Sequence, residues 1–349
     1  MNACGKWALG PEIGRGAYGT VYLATGPDRQ AAAVKVCRRD ALDADRYERE
    51  LRGAKLYGEI PPGEGLVRML ELGECEWGFY AAMELADDEF GRTGGASAYR
   101  PKTLARLIEG EKALPLKESL ALGVALAKGL VTLQRHHLLH RDIKPGNVLY
   151  VRGRPVLSDP GLLVDEAQAA SLVGTPGYVP PERFTAAAGD VYSLGLTLKA
   201  ASFGRPVEEL DKGPTLEADT GDPQFAAWWR ILNRATHPDA SRRYRSAKAL
   251  LKDLRTLQLR MAFSAKTFGL PRFVWLAILA AAVLAGVGVC RVKSSADESM
   301  ARWRAQDEYI EQQKKEGLRA AKEASERIKA LNGEMLENLK AFQRENRIK

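Results

Sequence analysis

Four blocks of this 349-residue chain have residue types and spacings suited to phosphate chemistry. The first is Gly14-Arg15-Gly16-Ala17-Tyr18-Gly19-Thr20-Val21. Glycines at this spacing let backbone amides approach phosphate oxygens with no side chain in the way. The pattern alone is weak, because it also fits dinucleotide folds and many plain turns. Two features narrow it. Strand-like Val21-Tyr22-Leu23 follows where a dinucleotide fold wants a helix, and Lys35 ends the next strand, Ala33-Val34-Lys35. A lysine ending a strand is usually solvated, but one strand beyond a glycine hairpin it can reach nucleotide phosphates. The second block, His140-Arg141-Asp142-Ile143-Lys144-Pro145-Gly146-Asn147, is far more specific. The third is Gly174-Thr175-Pro176-Gly177-Tyr178-Val179-Pro180-Pro181-Glu182, and the fourth is Asp190-Val191-Tyr192-Ser193-Leu194-Gly195.

The second block resembles the catalytic loop of eukaryotic-type serine/threonine protein kinases, especially their bacterial membrane-bound members. The glycine loop with Lys35 resembles their ATP-binding hairpin. The third block resembles the end of the activation segment, and the fourth the helix that anchors the catalytic loop. The likeness covers about residues 6–258 in the family's order and leaves out the tail. It implies transfer of the γ-phosphoryl group of ATP, with Mg2+, to serine or threonine hydroxyls of protein substrates. Such a reaction asks a protein mainly for positioning and charge neutralisation.

By the same resemblance, Lys35 pairs with the α- and β-phosphates and is held by a carboxylate of the following helix. Glu50 in Arg46-Tyr47-Glu48-Arg49-Glu50-Leu51 is the better partner and Glu48 the alternative. Asp142 accepts or orients the substrate hydroxyl proton, and Lys144 steadies the γ-phosphate. Asn147 and Asp159 supply oxygens to magnesium, a hard cation. Met83, Glu84 and Leu85 form a hinge that bonds adenine through its backbone, while Ile13, Gly14, Gly16, Gly19, Val21, Ala33 and Leu149 complete the ATP site. His140 is expected to be a packed structural histidine, Arg141 to meet a phosphate in the activation segment, and Arg243 (or Arg242) to pair with Glu182.

The chain departs from the family at Asp159-Pro160-Gly161, where an aromatic residue usually stands in the middle. The metal-binding carboxylate is kept, but proline fixes φ near −65° and removes an amide donor, so a stiffer loop and a poorer contact between lobes are expected. Between Pro160 and Gly174 the single hydroxyl is Ser171, a candidate for phosphorylation read by Arg141. Two rival readings follow. A membrane-anchored pseudokinase scaffold is suggested by Pro160 but needs no such set as Lys35, Asp142, Lys144, Asn147 and Asp159. A small-molecule kinase is disfavoured by the third block, which in the family shapes a protein-substrate groove.

Positioning these residues calls for an α+β, two-lobe fold. Residues 6–86 read as an antiparallel sheet with one helix, and residues 87–258 as a mainly helical lobe. Leu9 to Leu23 and Ala31 to Val36 are strand-like between glycine turns. Residues 43–57 read as a helix with Leu51, Ala54 and Lys55 on one face. Pro61 to Gly65 is a turn, and 87–102, with four glycines or serines and Pro101, an exposed loop. The run from Glu118 to His137 is apolar on nearly every turn, as in a buried helix.

After a linker at 259–272, Phe273 to Cys290 is an uncharged stretch of 18 residues between Arg272 and Arg291. As a helix it spans about 27 Å, close to a hydrocarbon core of about 30 Å, so a single transmembrane helix is expected. ATP is cytoplasmic, which places the catalytic part in the cytoplasm and residues 291–349 on the opposite side; the flanking arginines and lysines balance and do not decide orientation. Within that charged tail, Ile328, Leu331, Met335, Leu339 and Phe342 form a short stripe for a solvated or lightly self-associating helix. The formal charge of +8 is spread along the chain rather than blocked, and no pattern for reading nucleic acid is present. Cys4, Cys37, Cys75 and Cys290 are too dispersed for a metal site or disulfide framework.

Overall fold

Short strands separated by glycine turns and one helix build a six-stranded antiparallel sheet in the first third of the chain. The strands are β1 (Ala3–Cys4), β2 (Trp7–Gly16), β3 (Gly19–Thr25), β4 (Ala31–Arg38), β5 (Met69–Cys75) and β6 (Gly78–Glu84), in the order β1-β2-β3-β4-β6-β5. This computed structural model describes residues 3–91, 99–109, 112–159, 161, 163–165, 174–182, 186–205, 207 and 222–266. Pro160, Ser171, Cys290, the apolar segment 273–290 and the tail stripe lie outside the described residues.

The two-residue period of β4 sorts its side chains. Ala32, Val34 and Val36 pack with Trp7, Ala24, Tyr80 and Ala82 on one face. Cys37, on the other face with Ala33 and Lys35, packs with Phe79 against Tyr47 and Ala54 of helix α1 (Ala44–Gly58). Asp43 starts α1 by accepting a hydrogen bond from the Arg46 amide at 2.8 Å, as N-cap aspartates do. Its buried face holds Tyr47, Glu50, Ala54 and Tyr57, so Glu50 points inward and Glu48 outward as expected, while of the residues grouped by spacing Ala54 is buried, Leu51 half-buried and Lys55 exposed. Hydropathy alone misses part of that face because the buried side includes a carboxylate.

The second lobe is helical, with short strands between its helices. Its elements are α2 (Leu104–Ile108), α3 (Leu116–Arg135), β7 (Leu138–Leu139), β8 (Val148–Val151), β9 (Arg154–Leu157), β10 (Val164–Asp165), α4 (Ala187–Phe203), α5 (Pro223–Ala235) and α6 (Ala247–Lys266). Leu126, Leu130 and Leu133 of α3 are fully buried with Leu194 and Leu198 of α4, Trp228 and Leu232 of α5, and Leu250 and Leu254 of α6. Each such leucine contributes about 1.5–3 kcal/mol by leaving water. The expected linker from 259 is helical as far as Lys266. No helix among the described residues is long and apolar enough to cross a membrane.

The lobes are joined where the chain after α1 crosses α3. Gly65 has φ of +80°, and a Cβ there would sit 2.1 Å from the Ala125 carbonyl; one on Gly129 would sit 2.5 Å from the Gly65 carbonyl. Only glycine permits this backbone contact. The Leu157 amide then donates to Gly65 O, and Val67 to Leu157 O, both at 2.9 Å. This stitching fixes β9, and the residues that follow it, beneath the sheet. The segment 87–102 is partly structured: Asp88 bridges to Pro101, and the Tyr99 hydroxyl donates to Ala86 O.

Candidate active site

Lys35 stands on the inner face of β4, opposite Val21 of β3 and Ala81 of β6. Its Nζ lies 3.1 Å from Glu50 Oε2 and 2.5 Å from Asp159 Oδ1. Three elements distant in sequence therefore meet on one ammonium. Burial alone would lower the lysine's pKa, but Asp159 and Glu50 together raise it well above the ordinary value. Burial raises the pKa of Glu50 despite Lys35. Burial also opposes ionisation of Asp159, but Lys35 outweighs it and holds that carboxyl below its usual range. Glu48, the alternative partner, is exposed.

Gly161 explains how Glu50 fits. A Cβ on Gly161 would lie 2.1 Å from Glu50 Oε2, so the carboxylate occupies the space a side chain would need. Sequence reading placed a glycine here by resemblance but not this role, which only the three-dimensional approach reveals.

The loop carrying Asp142 is held from below. Asp190, fully buried at the start of α4, accepts from the backbone amides of His140 at 2.7 Å and Arg141 at 2.8 Å. Arg141 has φ of +64°, unusual for a side chain of its size, and the two bonds to Asp190 hold that conformation. Burial raises the pKa of Asp190, with His140 and the two amide bonds pulling the other way. His140 is buried, its Nε2 3.1 Å from Ser158 O, so it packs rather than facing a substrate. Burial brings Arg141 down to about 10, Asp190 opposing this and the nearby charge of Arg49 adding to it.

Asp142 is the centre of a polar knot. Its Oδ1 accepts from the Thr175 hydroxyl at 2.6 Å, and its Oδ2 from Asn147 Nδ2 at 2.7 Å. Lys144 Nζ lies 3.0 Å from Asp142 Oδ2 and donates to Thr175 Oγ1 at 2.7 Å. The carboxylate thus already holds one protein hydroxyl with a cation beside it, the arrangement needed to orient a hydroxyl nucleophile. Asn147 Nδ2 also donates to Asp142 O at 2.8 Å. Committing the amide nitrogen leaves the Asn147 side-chain oxygen as its available atom. With the half-exposed Asp159 carboxylate, that makes two hard oxygen donors. Magnesium typically takes one or two protein oxygens and fills the rest of its shell with phosphate and water, so this donor set fits it. Among the described residues no group of three or more His, Cys, Asp or Glu side chains could hold a metal by itself.

The expected adenine-side residues share one surface of the sheet. Gly14 registers with Val21, Leu23 with Ala33, and Ala33 with Met83. Gly16 and Gly19 close the β2–β3 turn opposite each other, with Ile13 half-buried just before it. Met83 is buried in the core of the helical lobe, against which Leu149 packs. The Glu84 amide is taken by Arg68 O at 2.9 Å, while neither backbone group of Leu85 is bonded within the described residues. Arg243 rather than Arg242 pairs with Glu182, through two bonds of 2.6 and 2.7 Å.

The chain has counterparts among known proteins. The family model for the protein kinase domain matches residues 7–267. The serine/threonine-protein kinase PknK of Mycobacterium tuberculosis is 35% identical over 213 residues, covering 58% of this chain and 18% of PknK. AfsK of Streptomyces griseus, also a serine/threonine-protein kinase, is 30% identical over 258 residues, covering 66% of this chain and 30% of its own length. The chain therefore spans less than a third of these relatives. The crystal structure of the Mycobacterium tuberculosis PknI kinase domain superposes with a TM-score of 0.54 at 24% identity, covering 72% of this chain and 96% of that domain. The fold is thus that of protein kinases, and with the family match over three-quarters of its length the chain belongs to the protein kinase domain family.

Proposed function

We propose that the chain is an ATP-dependent protein serine/threonine kinase. The observation that carries this reading is the pair of assembled clusters: Lys35 held by Glu50 and Asp159, and Asp142 held among Lys144, Asn147 and Thr175. A scaffold has no use for both. In the proposed reaction Asp142 orients the substrate hydroxyl and receives its proton as the hydroxyl oxygen bonds to the γ-phosphorus. The bond from that phosphorus to the β,γ-bridging oxygen breaks, and ADP leaves. Lys35 neutralises the α- and β-phosphates, Lys144 the transferring group, and the backbone of Leu85 takes the adenine edge. Bound through Asn147 and Asp159, Mg2+ would supply charge neutralisation on the phosphates. The bonding of Thr175 to Asp142 and Lys144 favours serine or threonine acceptors, because it shows an aliphatic hydroxyl fitting between those two side chains.

The apolar segment 273–290 supports a single membrane span, and the need for cytoplasmic ATP supports the kinase domain on the cytoplasmic side with 291–349 on the other. The tail stripe supports weak self-association. The test of the activity is transfer of labelled γ-phosphate from ATP and Mg2+ to a generic basic protein, followed by phosphoamino-acid analysis. Label on serine and threonine is expected. Label confined to tyrosine or to small-molecule acceptors, or none with ATP bound, would overturn the reading.

A further inference from the structure

In the helical lobe, α5 and α6 line an open groove of about 330 Å³. Its floor is apolar, with Ile231 and Leu257 both buried. Its rim is cationic. Arg230 and Arg234 stand one turn apart on α5, and Arg260 faces them from α6. Asp253 is the one acidic side chain in the lining. Its carboxylate is already engaged, accepting from the Tyr244 hydroxyl at 2.8 Å and lying 3.6 Å from Arg234. Arg234 is further fixed over the Tyr244 ring, 4.2 Å from its centre. Arg230 spends only its Nε, on Ala226 O. The other guanidinium donors of Arg230, and all of Arg260, have no partner among the described residues. Three arginines against one engaged carboxylate leave an excess of two positive charges around an apolar floor. Guanidinium forks match phosphate oxygens, and the floor suits an aliphatic group carried by that phosphate.

We propose that this groove binds the phosphate headgroup of an anionic lipid at the membrane surface. The proposal rests on the reading of 273–290 as a membrane span. Helix α6, which carries Arg260, is the element that leads to that segment. Six residues, 267–272, separate Lys266 from Phe273, a reach of about 24 Å at full extension, and Arg260 lies about 9 Å further back along the helix. Leu259, next to Arg260 in sequence, is 59% exposed and adds apolar surface elsewhere on α6. A lipid so held would orient the kinase domain against the bilayer rather than leave it on a free tether.

The test uses the full chain in lipid nanodiscs, either neutral phosphatidylcholine or phosphatidylcholine with phosphatidylglycerol, and follows hydrogen exchange across α5 and α6. The expected result is several-fold slower exchange around residues 253–262 in the anionic discs. The double variant Arg230→Ala/Arg260→Ala loses this protection while keeping wild-type phosphoryl transfer. Arg255→Ala, on the same helix but outside the groove, keeps it. Equal exchange in both discs, or protection surviving in the double variant, would overturn the proposal. So would loss of protection in Arg255→Ala, which would mean diffuse charge rather than a site. Protection in neutral discs on adding inorganic phosphate or a soluble acidic peptide would reassign the groove to a soluble anion. A chain that fails to enter either disc would instead sink the membrane reading itself.

Discussion

Lys35 keeps its charge inside the protein because two carboxylates flank it, and Gly161 leaves the space that lets Glu50 be one of them. Gly161→Ala should therefore push Glu50 off Lys35 while leaving both residues chemically unchanged. Displacements of about 1 Å at such a site cost about 100-fold in rate, so kcat should fall by that order while the thermal midpoint moves little. A variant with wild-type kcat would show that the Glu50 contact is dispensable. The Asp159 carboxyl sits below its usual range because Lys35 outweighs the burial that opposes ionisation. A depressed carboxylate stabilises the fold above its unfolded pKa, and the contribution disappears as pH falls through the folded value. Asp159→Asn should thus flatten the acid side of the curve of thermal midpoint against pH, below about pH 4. Glu50 and Asp190, raised by burial, slope the other way, so the informative quantity is the difference between variant and wild type. No difference there would mean that Lys35 does not hold Asp159 in solution.

At the scale of elements, α4 acts as an anvil for the loop that carries Asp142. Removing the Asp190 carboxylate orphans two buried amides, each worth about 1–3 kcal/mol, and releases the positive φ of Arg141. Asp190→Ala should lower stability by about 3 kcal/mol or more in denaturant melts, with Asp190→Asn milder because one acceptor oxygen remains. A neutral alanine variant would contradict the anchoring role. This element was readable before folding, since the Asp190-Val191-Tyr192-Ser193-Leu194-Gly195 block, the catalytic-loop block and the Gly14–Gly19 hairpin are local in sequence and carry their spacing with them. The inward turn of Glu50 was readable from the resemblance but not from hydropathy. A hydropathy count assigns Glu50 to solvent, and the compensating charge comes from Lys35 in β4. The contact of Gly65 with α3 and that of Gly161 with Glu50 were likewise hidden, because each depends on a partner far along the chain. Of Leu51, Ala54 and Lys55 only Ala54 is fully buried, so spacing finds the helix but not the whole of its inner face.

For the molecule as a whole, the sheet contributes the ammonium, the helical lobe the carboxylate and amide, and the Gly65 crossing with the Leu157 bonds sets one against the other. The central claim is that this juxtaposition performs catalysis rather than only nucleotide binding. Its most direct measurement compares the wild-type chain with Asp142→Asn for both ATP affinity and single-turnover transfer of labelled γ-phosphate to a protein hydroxyl. The account predicts ATP affinity within a few-fold of wild type, with transfer lowered by about 100-fold or more, the scale of a general-base contribution. Transfer in Asp142→Asn at the wild-type rate, or ATP binding without transfer in the wild type, would contradict it.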